Sequence, residues 1–224
     1  MSRQLTSGVL GRKKGDVWLY KGEVWEYEEV ISPYTGRIWM DRNLGASRVP
    51  TSLTDDLGYG DLFQFGKPDD FHQNRDSELT TIQSETAIPP DNNKFVYSNL
   101  SWLNIPIGIT GIELWQPSDR ANMPAPKGWR IPTDIEILDE INAIELDGFT
   151  RNRDGIYGSF LKMPRTGHRK YTDGLIDIWT TKLWNYNNRF DGSSRRATLI
   201  GNSVTDYGRT FNAEGCTVRL IKEI

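Results

Sequence analysis

The sequence has few of the residues that form covalent or metal cross-links. It contains one cysteine, Cys216, and two histidines, His72 and His168. One cysteine cannot form an internal disulfide or a four-cysteine zinc site, and two histidines cannot build a histidine-rich metal site. A cysteine-dependent oxidase is excluded as well, because its chemistry needs a reactive cysteine pair. No metal and no cofactor is therefore expected.

The sequence also lacks an excess of charge of one sign and any long apolar run. Its 27 lysines and arginines nearly balance 30 aspartates and glutamates, which gives a net charge of −3. Nucleic acid is not an expected partner, because phosphate backbones select strongly basic surfaces. No stretch approaches the roughly 18 apolar residues of a membrane helix, and residues 1–8 lack the apolar core of a secretory signal. We expect a soluble chain that is made in the cytoplasm and does not insert into membranes.

Aromatic residues are abundant, with 8 Trp, 9 Tyr and 8 Phe. They supply large apolar area per side chain, and a chain of this length should bury roughly 70% of its unfolded surface. At about 150 residues per domain, the length predicts one sizeable domain with at most a small appendage.

The N-terminal region predicts an arm followed by a β-hairpin. Residues 1–15 contain few large apolar side chains, so they cannot build a core of their own. Two β-rich runs, 16–20 and 23–30, then flank Lys21-Gly22, which predicts a two-residue turn. The face with Trp25 and Tyr27 is the one expected to pack. We interpret residues 1–36 as an attachment or assembly element and residues 37–224 as the main domain.

Helical signals occur at two places in the main domain. Apolar spacing behind Ser52 and Thr54 predicts a short helix within residues 51–66. Thr133 and Glu136 form a capping box ahead of an apolar stripe that runs to Gly148, which predicts the clearest helix.

Loops and short strands account for the rest of the main domain. Residues 67–127 read as a loop-rich insertion with Trp102 and Trp115 as its packing anchors. Short strand-like runs alternate with turns from residue 155 onward. The predicted fold class is α+β, with two helices, many short antiparallel strands and long loops.

Four motif-like segments follow one another along the chain. They are Trp-Met-Asp-Arg-Asn-Leu-Gly-Ala at 39–46, Tyr-Gly-Asp-Leu-Phe-Gln-Phe-Gly at 59–66, Gly-Trp-Arg-Ile-Pro-Thr at 128–133 and Gly-Cys-Thr-Val-Arg-Leu-Ile-Lys at 215–222. In this order they resemble the Fibrobacter succinogenes major paralogous domain family. The resemblance implies a C-type-lectin-like fold for residues 37–224, and Asp-Ile-Trp-Thr-Thr at 177–181 stands where that family has a Tyr-Trp-Ser-Ser-like strand. Trp39, Trp129 and Trp179 lie in segments that define this fold, so we expect them to be buried and structural.

The chain departs from the resembled family at two cysteine positions. Members often have one cysteine just before Gly-Trp-Arg and another after Val-Arg, where this chain has Ala125 and Leu220. The loss of both removes a cross-link worth roughly 2–4 kcal/mol and leaves no odd thiol. This fits assembly in a reducing cytosol, which is where phage structural proteins are made.

The segment from Trp184 to Arg196 is the predicted recognition site. Its aromatic, Asn, Ser and Arg composition is typical of a binding surface, since rigid rings give contact area and the polar groups give adaptable hydrogen bonds. The alternative is that Trp184 and Phe190 are core residues and the rest is a plain turn. The predicted ligand-binding residues are Trp184, Tyr186, Asn187, Asn188, Arg189, Arg195 and Arg196.

The other residues with reactive side chains have structural interpretations. Cys216 is predicted to be a small buried apolar residue, and His168 to lie in a surface loop; His72 is assigned no catalytic role. Residues 114–119 and 184–185 only weakly echo the calcium-and-sugar motifs of lectins, and their broken spacing favours turns.

These inferences point to a non-enzymatic phage virion protein, such as a tail fibre, baseplate or capsid appendage. The lectin-like domain would bind a host receptor, glycan or protein, or serve assembly, and the N-terminal arm would join other virion proteins. A homo-oligomer is expected, with a trimer favoured, because avidity strengthens weak contacts. The alternative is a bacterial surface or secreted glycan- or protein-binding module; a third candidate is a glycan hydrolase with two carboxylates.

Overall fold

The computed structural model describes residues 12–15, 17–88, 93–104, 114–115, 122–185 and 194–223. Two α-helices occur in these ranges, α1 (Asp134–Leu146) and α2 (Arg153–Gly158), together with one 3₁₀ turn at Asp56–Gly58. The strands of the same ranges are β1 (Arg12–Lys14), β2 (Trp18–Tyr20), β3 (Glu23–Trp25), β4 (Glu28–Ile31), β5 (Ile38–Met40), β6 (Phe63–Gln64), β7 (Leu79–Thr80), β8 (Phe95–Val96), β9 (Trp129–Arg130), β10 (His168–Arg169), β11 (Ile176–Asp177), β12 (Thr181–Trp184), β13 (Ser194–Ile200), β14 (Val204–Phe211), β15 (Gly215–Cys216) and β16 (Ile221–Lys222).

A five-stranded sheet in the order β1-β4-β5-β16-β9 joins distant parts of the sequence. Ile221 of β16 lies opposite Trp39 on one side and Arg130 on the other. The last described strand therefore lies inside the sheet, between a strand from near the start of the chain and one from its middle.

The remaining strands form smaller sheets. One has the order β11-β10-β15-β6, another β12-β13-β14, and β2-β3 and β7-β8 are pairs. All paired strands are antiparallel except β7 and β8. The chain is thus an α+β protein with mostly antiparallel strands, as the sequence predicted.

The predicted hairpin is confirmed. Strands β2 and β3 flank Lys21-Gly22, whose φ angles of 55° and 79° are those that a two-residue hairpin turn requires. Tyr27 is buried and Trp25 is half-buried, so the aromatic face packs. The next strand, β4, pairs with β5 inside the five-stranded sheet. The described part of residues 1–36 thus packs on the same body as the main domain.

Helix α1 follows the predicted signals. Thr133 accepts a hydrogen bond from the Glu136 amide, and the Glu136 side chain accepts one from the Thr133 amide, which confirms the capping box. The apolar stripe packs as well, since Ile137, Ile141 and Ile144 are buried in one cluster with Trp39.

The predicted helix within residues 51–66 is wrong. Only the 3₁₀ turn at Asp56–Gly58 forms, and Phe63–Gln64 is a strand paired with β15. Gly60 has a φ of +73°, which a right-handed helix cannot contain. The second helix is instead α2, which was missed; it begins after Asn152, whose side chain accepts from the Gly155 amide.

Aromatic side chains form the centre of the largest core cluster, which includes Phe63, Phe65 and Trp115. Trp102 and Trp115 are both buried, so their prediction as packing anchors of the loop-rich insertion is confirmed. Their indole N–H groups donate to main-chain carbonyls, which satisfies the polar end of each ring in the core.

Two buried charged side chains connect the layers. Arg219, 1% exposed, donates to the Met40 carbonyl at 3.2 Å, to the Leu161 carbonyl at 2.8 Å and to Asn43 Oδ1 at 3.0 Å. Glu140 of α1 accepts from Trp39 Nε1 at 3.1 Å and from Thr35 Oγ1 at 2.7 Å. Each charge is thereby hydrogen-bonded where water is excluded.

The three tryptophans expected to be buried divide into two groups. Trp39 and Trp129 are buried, as predicted. Trp179 is 66% exposed, so its prediction is wrong. Strand β11 ends at Asp177, whose Oδ1 accepts from the Trp179 amide at 2.8 Å. This turn takes residue 179 out of the sheet before its side chain can pack.

Alanine substitutions should separate these groups. Trp39→Ala or Trp129→Ala should lower the free energy of unfolding by about 3–5 kcal/mol, because each leaves a large cavity in the core. Trp179→Ala should change it by no more than about 0.5 kcal/mol. Urea unfolding measures all three, and an equal loss at Trp179 would contradict the exposure described here.

Candidate functional site

A polar cavity of about 270 Å³ opens beside the turn of the β2-β3 hairpin. This cavity is the candidate site. Its lining comes from the hairpin turn, the loop after β5, the 3₁₀ turn and the loop after β6. The lining residues are Lys21, Gly45, Ser47, Asp56, Leu57, Gly60, Asp61, Asn74, Arg75 and Asp76.

An ion pair between half-buried Lys21 and buried Asp61 lies in this cavity. Lys21 Nζ is 2.6 Å from Asp61 Oδ2, and the hydroxyl of Tyr20 donates to the same oxygen at 2.7 Å. Lys21 also donates to Asn74 Oδ1. Burial raises the pKa of Asp61 above its ordinary value, whereas Lys21 and Tyr20 act in the opposite direction. The hairpin turn is thereby fastened to the loop after β5.

Gly45 makes room for this pair. Its φ is +81°, and a Cβ at this position would lie 2.2 Å from Asp61 Oδ2. A side chain there would be strained in its backbone and would displace the carboxylate.

Arg75 forms the opposite wall. Its Nε donates to the Gly60 carbonyl at 2.7 Å, one Nη donates to the Thr166 carbonyl at 3.0 Å, and the guanidinium lies 5.1 Å from the centre of the Tyr59 ring. Burial lowers the pKa of Arg75 to about 10, so it still carries its charge at neutral pH.

Several polar groups of the cavity have unused hydrogen-bonding capacity. Among the described residues, the carboxylates of Asp56 and Asp76, the Ser47 hydroxyl and the Asn74 amide nitrogen form no hydrogen bond. Leu57, 48% exposed, adds an apolar side chain. A ligand with several hydroxyl groups could both donate to and accept from this set.

The predicted recognition segment is only partly described. Trp184 is fully buried, and its indole N–H donates to the Phe63 carbonyl at 2.7 Å. It belongs to the core, which matches the alternative interpretation for this residue. Tyr186, Asn187, Asn188 and Arg189 lie outside the described residues. Arg195 and Arg196 lie in β13, with side chains outside the description.

None of the cavity residues was predicted as a site residue. The sequence of the Lys21-Gly22 turn predicts a hairpin, and that of the 59–66 segment predicts a helix and carries part of the family resemblance; neither predicts a site. Their contact could not be found in the sequence, because Lys21 and Asp61 meet only through the packing of the hairpin.

His72 lies beside an aspartate, as in a catalytic dyad, but both of its ring nitrogens already have partners. Its Nδ1 lies 2.5 Å from Asp70 Oδ1, and its Nε2 accepts from the Gln64 amide at 3.1 Å. The lone pair that a general base would use is therefore taken up by the main chain. Burial, together with the charges of Lys67 and Arg169, lowers the pKa of His72 to about 4 against the pull of Asp70.

The other two reactive residues are also buried. His168 lies in β10 with Nδ1 3.0 Å from the Thr180 carbonyl, so the prediction of a surface loop is wrong. Residues 168–169 form a strand with neighbours on both sides, which the turn-rich local sequence did not reveal. Cys216 is fully buried, as predicted, and burial raises the pKa of its thiol well above the ordinary value.

The described ranges contain no group of three His, Cys, Asp or Glu side chains that could hold a metal ion. Residues 116–119 of the weak calcium motif lie outside the described residues. No helix in the described ranges is long and apolar enough to cross a membrane.

Comparison with known proteins gives no match. The chain matches no protein-family model, and no curated protein or solved structure is significantly similar to it. The family resemblance stays a prediction that rests on the four quoted segments.

His72 should make stability depend on pH. Its pKa is about 4 in the folded chain and about 6.5 when unfolded, so the neutral form is favoured by folding. The contribution is complete above pH 6.5 and is lost as the pH falls towards 4, by up to about 3 kcal/mol. His72→Gln cannot be protonated and should flatten this part of the curve in urea unfolding.

His168→Gln is the comparison variant, because burial also lowers the pKa of His168. It should remove only the part of the loss at low pH that His168 contributes and leave the part that His72 contributes. Parallel pH curves for the wild type and His72→Gln would show that His72 is not the titrating group.

Proposed function

We propose that this chain is a non-enzymatic binding protein of a phage virion, with a C-type-lectin-like fold. The cavity is proposed to hold a sugar residue of the host surface. The single observation that carries the binding role is the set of unused donors and acceptors around the Lys21–Asp61 pair. Location in a tail fibre, baseplate or capsid appendage rests on the family resemblance.

The arrangement of the four quoted segments supports the proposed fold. Strand β16 from the last segment pairs with β5 from the first and β9 from the third, and β15 pairs with β6 from the second. Segments chosen only for their sequence are therefore hydrogen-bonded to one another, which is expected of a fold-defining set.

The charges of the cavity favour a hydroxyl-rich ligand over an anion. Lys21 and Arg75 are outnumbered by three aspartates, Asp56, Asp61 and Asp76. Sugar hydroxyls both donate and accept, so they can satisfy cations and carboxylates together, while Leu57 can contact the C–H face of a sugar ring.

The hydrogen bonds and the burial of the reactive residues support binding rather than catalysis. His72 is held at both ring nitrogens, Cys216 is buried, and Lys21 and Tyr20 both donate to one oxygen of Asp61. These hydrogen bonds hold polar groups in place, and preorganised polar groups lose little conformational freedom when a ligand binds.

Two exposed aspartates of the cavity can be replaced without changing the Lys21–Asp61 pair. The double variant Asp56→Ala/Asp76→Ala should weaken adsorption to host cells, or binding to their purified surface glycans, by about tenfold. Thermal stability should be unchanged, because both side chains are exposed.

Glu85→Ala is the control, since Glu85 is an exposed acid that does not line the cavity. Unchanged glycan binding by the double variant would remove the cavity from the proposal.

We further propose that the hairpin serves assembly into a homo-oligomer. Val17, Leu19 and Val24 are 62–64% exposed, and Leu19 lies directly opposite Val24. These three side chains form the apolar face of the hairpin. A symmetric neighbour carries the same patch, so the face can be buried against a second copy of the chain.

The double variant Leu19→Lys/Val24→Lys should be monomeric, because it places charge in the proposed interface between copies of the chain. Light scattering measures the change in mass. Circular dichroism should be unchanged, since both residues are exposed. Ile135→Lys, at an equally exposed position on α1, should leave the oligomer intact. A wild-type chain that is itself monomeric would overturn the assembly role.

A further inference from the structure

Trp179 is a large aromatic side chain held at the surface. It lies between β11 and β12 and is 66% exposed, whereas Trp18 and Trp25 are half-buried and the other described tryptophans are buried. Ile178 beside it is 45% exposed. An exposed aromatic patch of this kind is typical of a binding surface.

Neighbouring side chains contact both the main chain and the ring of Trp179. Asp177 Oδ1 accepts from the Trp179 amide at 2.8 Å, and Arg153 Nη1 lies 3.5 Å from the Trp179 carbonyl. The guanidinium carbon of Arg165 is 5.3 Å from the centre of the indole. The main chain that carries the ring is therefore held in position before a ligand binds.

Two guanidinium groups lie beside the ring. Among the described residues, Arg153 and Arg165 form no ion pair, and Arg165 Nε is buried without a hydrogen-bond partner. Asp177 Oδ1 accepts from the Trp179 amide, and exposed Asp154 pairs with neither guanidinium. Both guanidinium groups can therefore donate to a carboxylate.

We propose that Trp179, Arg165 and Arg153 form a second binding site, for a carboxylated sugar residue such as a uronic acid unit of a surface polysaccharide. The apolar face of a sugar ring stacks on the indole, and a guanidinium binds a carboxylate through two parallel hydrogen bonds. This site differs from the cavity in charge and in residues, so it does not depend on the proposed function.

A calorimetric titration with oligogalacturonate tests the site, with maltohexaose as the neutral probe. The wild type should bind the acidic probe more tightly, and added NaCl should weaken that binding. Trp179→Ala and Arg165→Gln should each raise the apparent Kd by about tenfold or more. Thermal melting should be unchanged for Trp179→Ala, because the side chain is exposed.

Two matched variants separate this site from other effects. Lys127→Gln removes an exposed charge that is not among the contacts of Trp179, and it should leave binding unchanged. Asp56→Ala/Asp76→Ala should also leave it unchanged, so failure of the cavity and failure of this site are distinguishable.

Three results would each overturn the inference. The first is a wild type that does not bind oligogalacturonate, and the second is a Trp179→Ala variant that binds it as the wild type does. The third is polyglutamate binding of equal strength, because that would show recognition of charge without the sugar ring.

Discussion

The guanidinium of Arg219 is a full positive charge in a place that water does not reach, and its three acceptors come from distant parts of the chain. A buried charge without hydrogen-bond partners costs several kcal/mol, so the contacts with Met40, Asn43 and Leu161 stabilise the fold. Burial lowers the pKa of Arg219 to about 10, and the charge persists at neutral pH. Asn43 also donates to the Tyr59 carbonyl at 3.1 Å, directly before the Gly60–Asp61 part of the cavity wall. The geometry of the cavity therefore depends on the same charge.

Long loops are ordered in a similar way, by cationic side chains that donate to carbonyls. Arg169 donates to the Gly174 carbonyl at 2.8 Å and to the Ser77 carbonyl at 3.0 Å, which joins the β10-β11 turn to the loop before β7. Lys67 donates to the Lys94 carbonyl at 2.8 Å. Each contact gives a main-chain carbonyl of a loop a hydrogen-bond donor. Hydrogen bonds from interior polar side chains thus hold these loops in the way that strand pairing holds a sheet.

Local signals in the sequence predicted local structure well. The capping box at Thr133 and the turn at Lys21-Gly22 depend on residues only a few positions apart, and both formed as predicted. Two predictions failed where distant partners decide the structure. Residues 63–64 pair with β15 instead of extending a helix, and Trp179 lies beyond a strand too short to place it in the core. The cavity was missed for the same reason, because its ion pair joins a hairpin turn to a separate loop.

The central position of β16 has a consequence for biosynthesis. Its neighbours β5 and β9 are translated long before it, so on the ribosome the five-stranded sheet has a gap where Ile221 will lie. The edges of β5 and β9 that face this gap carry unpaired main-chain groups until the gap is filled. Contacts between such distant residues also slow folding, because a long loop must close before they form. The nascent chain is therefore open to mispairing at these edges until residues 221–222 have left the ribosomal tunnel and can pair with them.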